Sequence, residues 1–155
     1  TDTRAIQIGF PIAFGVGAGQ MDRNVWRTLI PSSYVASVIG HEGPRSLCAL
    51  LRKRGLATGL SAGAGDDNDA FSIFNIGVEL TEAGLSKRQE VLELVFGYLR
   101  FLRDLREWPA ELIQEHIMFS EAYWRTTEEP EPSDAVVQLA GNMHIYKMPR
   151  KYLSG

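Results

Sequence analysis

Apolar residues alternate with other residues in two segments of the chain, with the period of a β-strand. The first segment is 6–10, and the second runs from Phe71 to Leu80. Both faces of the second segment are apolar near its centre, so we expect it to lie inside a sheet. The small residues of 57–65 predict a further strand, and the four polar residues at 66–69 predict a hairpin turn after it.

Helical periodicity predicts a short helix from Tyr34 to Ile39 and a second one that starts at Pro44 and ends at Arg54. Gly55 follows the second helix at the position that favours a left-handed stop. We expect the longest helix from Leu85 to about Arg106. Its apolar residues recur every three or four positions and predict a stripe that faces the core: Leu92, Val95, Phe96, Leu99 and Leu102.

Two further helices are predicted near the end of the chain, one from Pro109 to about Thr126 and one capped by Ser133. With the interrupted helical stretch 34–54 counted as one element, the order of elements is β-α-β-β-α-α-α. This order predicts an α+β fold in which helices pack on one face of an antiparallel sheet, as an α+β sandwich. A chain of 155 residues is long enough for one domain with a sizeable core.

Composition and charge argue against several classes of function. The net charge is -3 and no basic run is dense, so we expect no nucleic-acid partner. Arg52-Lys53-Arg54 is predicted to lie in the last turn of a helix, where cations are favoured. No apolar stretch reaches about 18 residues, so no membrane contact is expected. The single cysteine, Cys48, cannot form an internal disulfide, which is compatible with a reducing compartment such as the cytoplasm, and its apolar neighbours predict a core thiol.

The sequence lacks the residue sets of common hydrolases, such as G-x-S-x-G and H-E-x-x-H. The segment Leu112–His116 is similar to the inverted zinc motif H-x-x-E-H, but leucine occupies the first histidine position. One histidine and one glutamate cannot supply the three protein ligands of a catalytic zinc. We therefore expect no catalytic residue and no metal or other cofactor in this chain, and interpret Glu115 and His116 as residues of a partly exposed helix.

A His-Glu pair at positions 41 and 42 is bracketed by Gly40 and Gly43. Glu42 could bind a cation such as the α-amino group of a peptide, or it could cap the backbone donors of the helix expected at Pro44; the residues alone leave both open. The strand at 60–64 has few side chains that would obstruct an added strand. An extended peptide bound there would be held by main-chain hydrogen bonds.

At these residues the sequence resembles the M16 family of inverzincin metallopeptidases, in the branch of insulin-degrading enzyme and pitrilysin. The matching segments are Tyr34-x-x-x-Val38-Ile39-Gly40-His41-Glu42-Gly43-Pro44-x-Ser46-Leu47, Leu50-x-x-x-x-Gly55, Leu60-Ser61-Ala62-Gly63 and Phe71 through Val78-Glu79-Leu80-Thr81-x-x-Gly84.

The resemblance implies that residues 1–155 form a single inactive domain, the second domain of the N-terminal half of such an enzyme, without its last elements. The H-x-x-E-H helix of the family lies in the preceding domain, so zinc is expected only in the catalytic domain of a larger parent protein. The expected partners are a peptide substrate and the other M16 domains of the same parent chain.

The resemblance also implies an exosite that anchors the N-terminal end of the substrate. Ser37 stands where the pattern of insulin-degrading enzyme has histidine. The alternative is a purely structural or assembly domain without a peptide-binding role. Carried over by position, the exosite falls on Gly40, Glu42, Leu60, Ala62, Gly63 and Ala64.

Overall fold

The computed structural model describes residues 4–15, 32–67, 70–107, 110–128 and 131–146. The predicted α+β fold is confirmed. The hairpin turn expected over 66–69 is wrong for residues 66 and 67, which extend the preceding strand, and residues 68 and 69 lie outside the described ranges. Within these ranges the three strands and six helices are, in chain order, β1 (Ala5–Ala13), α1 (Ser32–Ile39), α2 (Leu47–Lys53), β2 (Ala57–Asp67), β3 (Phe71–Leu80), α3 (Glu82–Ser86), α4 (Arg88–Asp104), α5 (Ala110–Thr126) and α6 (Pro132–Tyr146).

The strand β3 is the centre of the sheet in the described residues. It pairs antiparallel with β1 on one side and with β2 on the other. Its side chains alternate between a buried face and a face that is exposed or half-buried. The prediction that this segment lies inside a sheet is therefore confirmed. The buried face consists of Ser72, Phe74, Ile76, Val78 and Leu80.

The core lies between this buried face and the helices α1, α2 and α4. Full burial of one such aliphatic side chain contributes about 1.5–3 kcal/mol, so these few residues supply much of the apolar stabilisation. The thiol of Cys48 is 1% exposed and belongs to this core, as its apolar neighbours predicted. The helical members are Val38 and Ile39 of α1, Leu47, Cys48 and Leu51 of α2, and Val91, Val95 and Leu102 of α4.

The helix α2 starts after Ser46, and the prediction of a start at Pro44 is wrong. Arg45 has a φ of 70°, in the left-handed region, which interrupts a right-handed helix. The hydroxyl of Ser46 accepts a hydrogen bond from the N–H of Ala49 at 3.1 Å and so caps α2. Gly55 has a φ of 67° after the helix, which confirms the predicted stop.

The long helix expected over 85–106 is in fact two helices. The hydroxyl of Thr81 accepts a hydrogen bond from the N–H of Gly84 at 2.9 Å, which caps the short helix α3. Lys87 then leaves the helical conformation, with φ -107° and ψ 31°, before α4 begins. The predicted stripe is also shifted, because Val91 lies in the core whereas Phe96 is 47% exposed.

The helices α5 and α6 carry large apolar side chains that remain exposed. No residue of α5 is buried within the described structure, and Phe119 and Trp124 are both exposed. The start of α6 also differs from the prediction of a cap at Ser133. The carbonyl of Glu131 accepts hydrogen bonds from the N–H groups of Asp134 and Ala135, so the helix begins at Pro132. Proline is favoured there because the first N–H groups of a helix have no partner within the helix.

Gly84 is a position where any side chain should disrupt the fold. It is buried, and a Cβ there would overlap the carbonyl oxygen of Leu56, which already accepts a hydrogen bond from Thr81. We expect Gly84→Ala to lower the free energy of unfolding by about 2 kcal/mol or more, measured by chemical denaturation. Gly97→Ala is the matched control, because its Cβ would meet nothing within 4 Å in α4 and should stabilise the helix by about 0.5–1 kcal/mol. Equal stability of the two variants would contradict this account.

Candidate functional site

The residues that the resemblance assigns to an exosite lie on the loop after α1 and on β2. Gly40 ends α1, and its N–H donates to the carbonyl of Ala36 at 2.8 Å. A Cβ on Gly40 would stand 3.0 Å from that carbonyl oxygen and 3.7 Å from the backbone nitrogen of Ala62. The end of α1 therefore lies beside the backbone in the middle of β2, and the tight contact of an added Cβ would be with Ala36 of α1 itself.

The strand β2 lies at one edge of the sheet that the described residues form. Within those residues it pairs with β3 alone, so the outer side of its backbone faces no described strand. Alternate residues of an antiparallel strand direct their N–H and C=O groups to opposite sides. From 61 to 65 the side chains are those of serine, alanine and glycine only. This edge thus presents main-chain donors and acceptors with little steric obstruction.

The side chains of β2 divide between the two faces of the sheet. Leu60, Ala62 and Ala64 face the helices, because they pair with buried residues of β3. Leu60 is 8% exposed, so its side chain belongs to the core and only its main chain is available to a ligand. Gly63 lies on the opposite face, where a Cβ would meet nothing within 4 Å. The four strand residues therefore share an edge and do not form a side-chain pocket.

The carboxylate of Glu42 is held by the guanidinium of Arg52. Nη1 donates to Oε2 at 2.9 Å and Nη2 donates to Oε1 at 3.2 Å. The third nitrogen of Arg52, Nε, donates to the carbonyl of Thr58 at 2.9 Å. Arg52 therefore joins the loop after α1 to the start of β2. The bidentate contact orients the carboxylate, and each oxygen keeps lone-pair capacity for a further donor.

This pairing also sets the charge of the site. Hydrogen bonding to Arg52, followed by its positive charge, lowers the pKa of Glu42, and the hydrogen bond to Glu42 raises the pKa of Arg52. The Glu42 and Arg52 side chains are exposed, at 60% and 41%, so solvent and salt screen the pair. Ser46 caps α2, so the interpretation of Glu42 as a helix cap is wrong. The cation that Glu42 contacts in this structure is Arg52 of the same chain.

His41 points away from Glu42 and contacts α5. Its Nδ1 accepts a hydrogen bond from the N–H of Gly43 at 3.2 Å, an arrangement that places the ring proton on Nε2. A Cβ on Gly43 would overlap the imidazole, so this glycine makes room for the ring. The Nε2 atom lies 3.9 Å from Oε2 of Glu115. His41 therefore lies beside Glu115 of α5, whereas Glu42 contacts Arg52 of α2.

A cleft of about 270 Å³, which we call the α1–α5 cleft, lies beside this loop. The hydroxyl of Ser37 donates to the carbonyl of Tyr34 at 2.8 Å. The ring of His116 has its centre 5.5 Å from that of Tyr34, and burial raises the pKa of the Tyr34 hydroxyl. Sequence reasoning placed Glu115 and His116 on a partly exposed helix but did not bring them next to His41. The lining residues are Ser37, His41, Leu112, Glu115, His116 and Phe119.

The described ranges contain neither a metal-binding cluster nor a membrane-spanning helix. Among the residues described there, no group of three or more His, Cys, Asp or Glu side chains is placed to hold a metal ion. In the same part of the chain, none of the helices combines the length and apolar character needed to cross a bilayer.

Known proteins are similar to this chain over most of its length. The family described as Peptidase M16 inactive domain matches residues 4–118. Insulin-degrading enzyme-like 1, peroxisomal, of Arabidopsis thaliana is 36% identical over 118 residues, which are 75% of this chain and 12% of that protein. Nardilysin of Homo sapiens is 32% identical over 123 residues, which are 76% of this chain and 10% of that protein.

A solved structure agrees with the fold. The crystal structure of pitrilysin matches with a TM-score of 0.73 over 91% of this chain and 14% of that chain, at 24% sequence identity. At that identity the likeness establishes the fold alone. The chain spans only 10–12% of the length of the relatives named above, so the similarity concerns one segment of each of them.

Arg52 should keep Glu42 ionised to a lower pH than an ordinary glutamate. Because the folded-state pKa of Glu42 is lowered, the pair stabilises the fold above the ordinary carboxyl pKa, and this contribution is lost as the pH falls through the lowered value. In an NMR titration of the side-chain carboxyl carbon, Arg52→Gln should raise the pKa of Glu42. Arg54→Gln, which removes the contact between Arg54 and Glu90, should leave that pKa unchanged. An unaltered Glu42 pKa in Arg52→Gln would refute this assignment.

Proposed function

Because the chain belongs to the M16 peptidase family, as a member of its inactive-domain type, we propose that it anchors peptide substrates for a larger zinc metallopeptidase. In this proposal another domain of the parent protein holds the zinc and cuts the peptide. The partners of the segment are the peptide and the other M16 domains of the same parent chain. The small share of its relatives that the chain spans supports a larger parent.

The observation that carries the proposal is the position of an oriented carboxylate beside an open strand edge. Gly40 brings the loop against the backbone near Ala62, and Arg52 ties Glu42 to the carbonyl of Thr58. An extended peptide that adds to the outer side of β2 gains main-chain hydrogen bonds with little dependence on its sequence. Its α-amino group then binds Glu42, which is the only part of this contact that requires a free N-terminus.

Arg52 has two opposite effects in this arrangement. Its bidentate contact holds the carboxylate in one orientation, so that the remaining lone pairs of Glu42 are available to an ammonium group. Its positive charge repels the same ammonium group and weakens the attraction. We therefore expect the capture of the N-terminus to be modest and the main-chain contacts along β2 to supply most of the affinity.

The same ion pair supports a second candidate function, that of a structural or assembly domain without peptide binding. Arg52 already satisfies the charge of Glu42 and links the loop, α2 and β2. A pair with this role requires no ligand. The two candidates differ in whether a peptide with a free α-amino group binds to the domain through Glu42.

An octapeptide with a free α-amino group should bind more tightly than its N-acetylated twin, because acetylation removes the ammonium charge. Glu42→Gln should abolish this difference, which we expect to be about two- to fivefold in Kd for an exposed charge pair. Fluorescence anisotropy with a C-terminal fluorophore measures both constants. Glu90→Gln is the matched control, because it removes an exposed glutamate that is likewise paired with an arginine, and it should preserve the difference. Equal binding of the twins, or none, with no effect of Glu42→Gln would favour the structural candidate.

Strand addition makes a separate prediction about the peptide backbone. Only alternate residues of the bound peptide direct their N–H groups towards β2. N-methylation of one alternate set of residues should therefore weaken binding strongly, whereas methylation of the other set should have little effect. Each peptide controls for the other, since both carry the same number of methyl groups, and anisotropy again reports the Kd. Equal affinities of the two methylated peptides would argue against strand addition.

A further inference from the structure

The α1–α5 cleft contains a carboxylate whose charge is not neutralised by a close cation in the described structure. Glu115 is 51% exposed, and within the described ranges its ion-pair contact is with Nε2 of His41 at 3.9 Å. That distance is too long for a hydrogen bond. A carboxylate accepts about four hydrogen bonds, so Glu115 has capacity for a donor that a ligand brings.

The histidines of the cleft are engaged by other groups. Nδ1 of His41 accepts from the N–H of Gly43 and so carries no proton in this contact. Nε2 of His116 lies 3.5 Å from the hydroxyl of Ser33, and the His116 ring packs against Tyr34. The hydrogen-bond partner of His41 is therefore in its own loop, and the contacts of His116 are with α1. Glu115 therefore supplies the negative charge of the cleft.

Apolar side chains flank this charge on the same face of α5. Leu112 and Phe119 lie one helical turn before and one after Glu115, and both line the cleft. Phe119 is 67% exposed, so its ring is accessible to a ligand. Lysine and arginine side chains combine an apolar stem with a charged end and bind at such surfaces, with the stem on the apolar groups. An aromatic ring beside the charged end adds a favourable cation–π contact.

We propose that the α1–α5 cleft binds a lysine or arginine side chain from the N-terminal part of the anchored peptide. The inference rests on the proposed function, since it takes a peptide bound along β2 as its starting point. His41 lines the cleft and lies between Gly40 and Glu42 in sequence, so the cleft and the anchor share one loop. A volume of about 270 Å³ lies just below the range of small-molecule sites and suits one long side chain.

A scan of lysine positions tests this cleft. Octapeptides with a free N-terminus carry lysine at each of the first five positions in turn, and norleucine replaces lysine in the matched series. At one position the lysine peptide should bind about three- to fivefold more tightly than its norleucine twin. Glu115→Gln should remove that preference. Glu121→Gln on the same helix should preserve it, because Glu121 does not line the cleft.

Two results would overturn the inference: equal binding of the lysine and norleucine peptides at every position, or a lysine preference that survives Glu115→Gln. N-acetylated copies of the best pair separate this inference from the proposed function. If the lysine and norleucine peptides bind equally but acetylation still weakens binding, the proposal for the cleft is refuted and the N-terminal anchor is not. A lysine preference that depends on Glu115, with no effect of acetylation or of Glu42→Gln, supports the cleft and refutes the N-terminal anchor.

Discussion

The burial of one face of β3 is the constraint on which the rest of the structure depends. Ile76 and Val78 have no exposed surface, and β1 and β2 flank their strand. Because side chains alternate along a strand, the pairing with β3 places Leu60 on the buried face and Gly63 on the open one. Apolar burial therefore decides what β2 offers to another molecule, which is its main chain and its small side chains.

The core also positions the charged groups of the site. Leu47 and Leu51 anchor α2 with no exposed surface, and this fixes the helix whose last turn carries Arg52. From there Arg52 reaches both Glu42 and the start of β2. The ion pair itself is exposed and weak in energy, so its orientation depends on the packing beneath it. A site of this kind combines a rigid apolar support with a solvated charge.

Sequence reasoning succeeded where one strong periodic signal was present and failed where local signals competed. The apolar alternation in Phe71–Leu80 predicted a strand inside a sheet, and its pairing with β1 and β2 confirmed that place. Pro44 and Ser46 are both residues that favour a helix start. Arg45 between them is left-handed, so α2 starts only after Ser46. The short helix α3 likewise starts at a cap made by Thr81, and it is separated from α4 by Lys87; periodicity reports neither feature.

The sequence by itself determined the family and the α+β class, because these follow from the motif order and the periodicity of the chain. Only the tertiary structure decided that Glu42 binds Arg52 and that His41 lies beside Glu115. Each of these pairs joins residues from different elements, and nothing in their spacing predicts the contact. The first pair forms because burial of Leu47 and Leu51 holds α2 beside its preceding loop. The second forms because α5 contacts α1, where the ring of His116 packs against Tyr34.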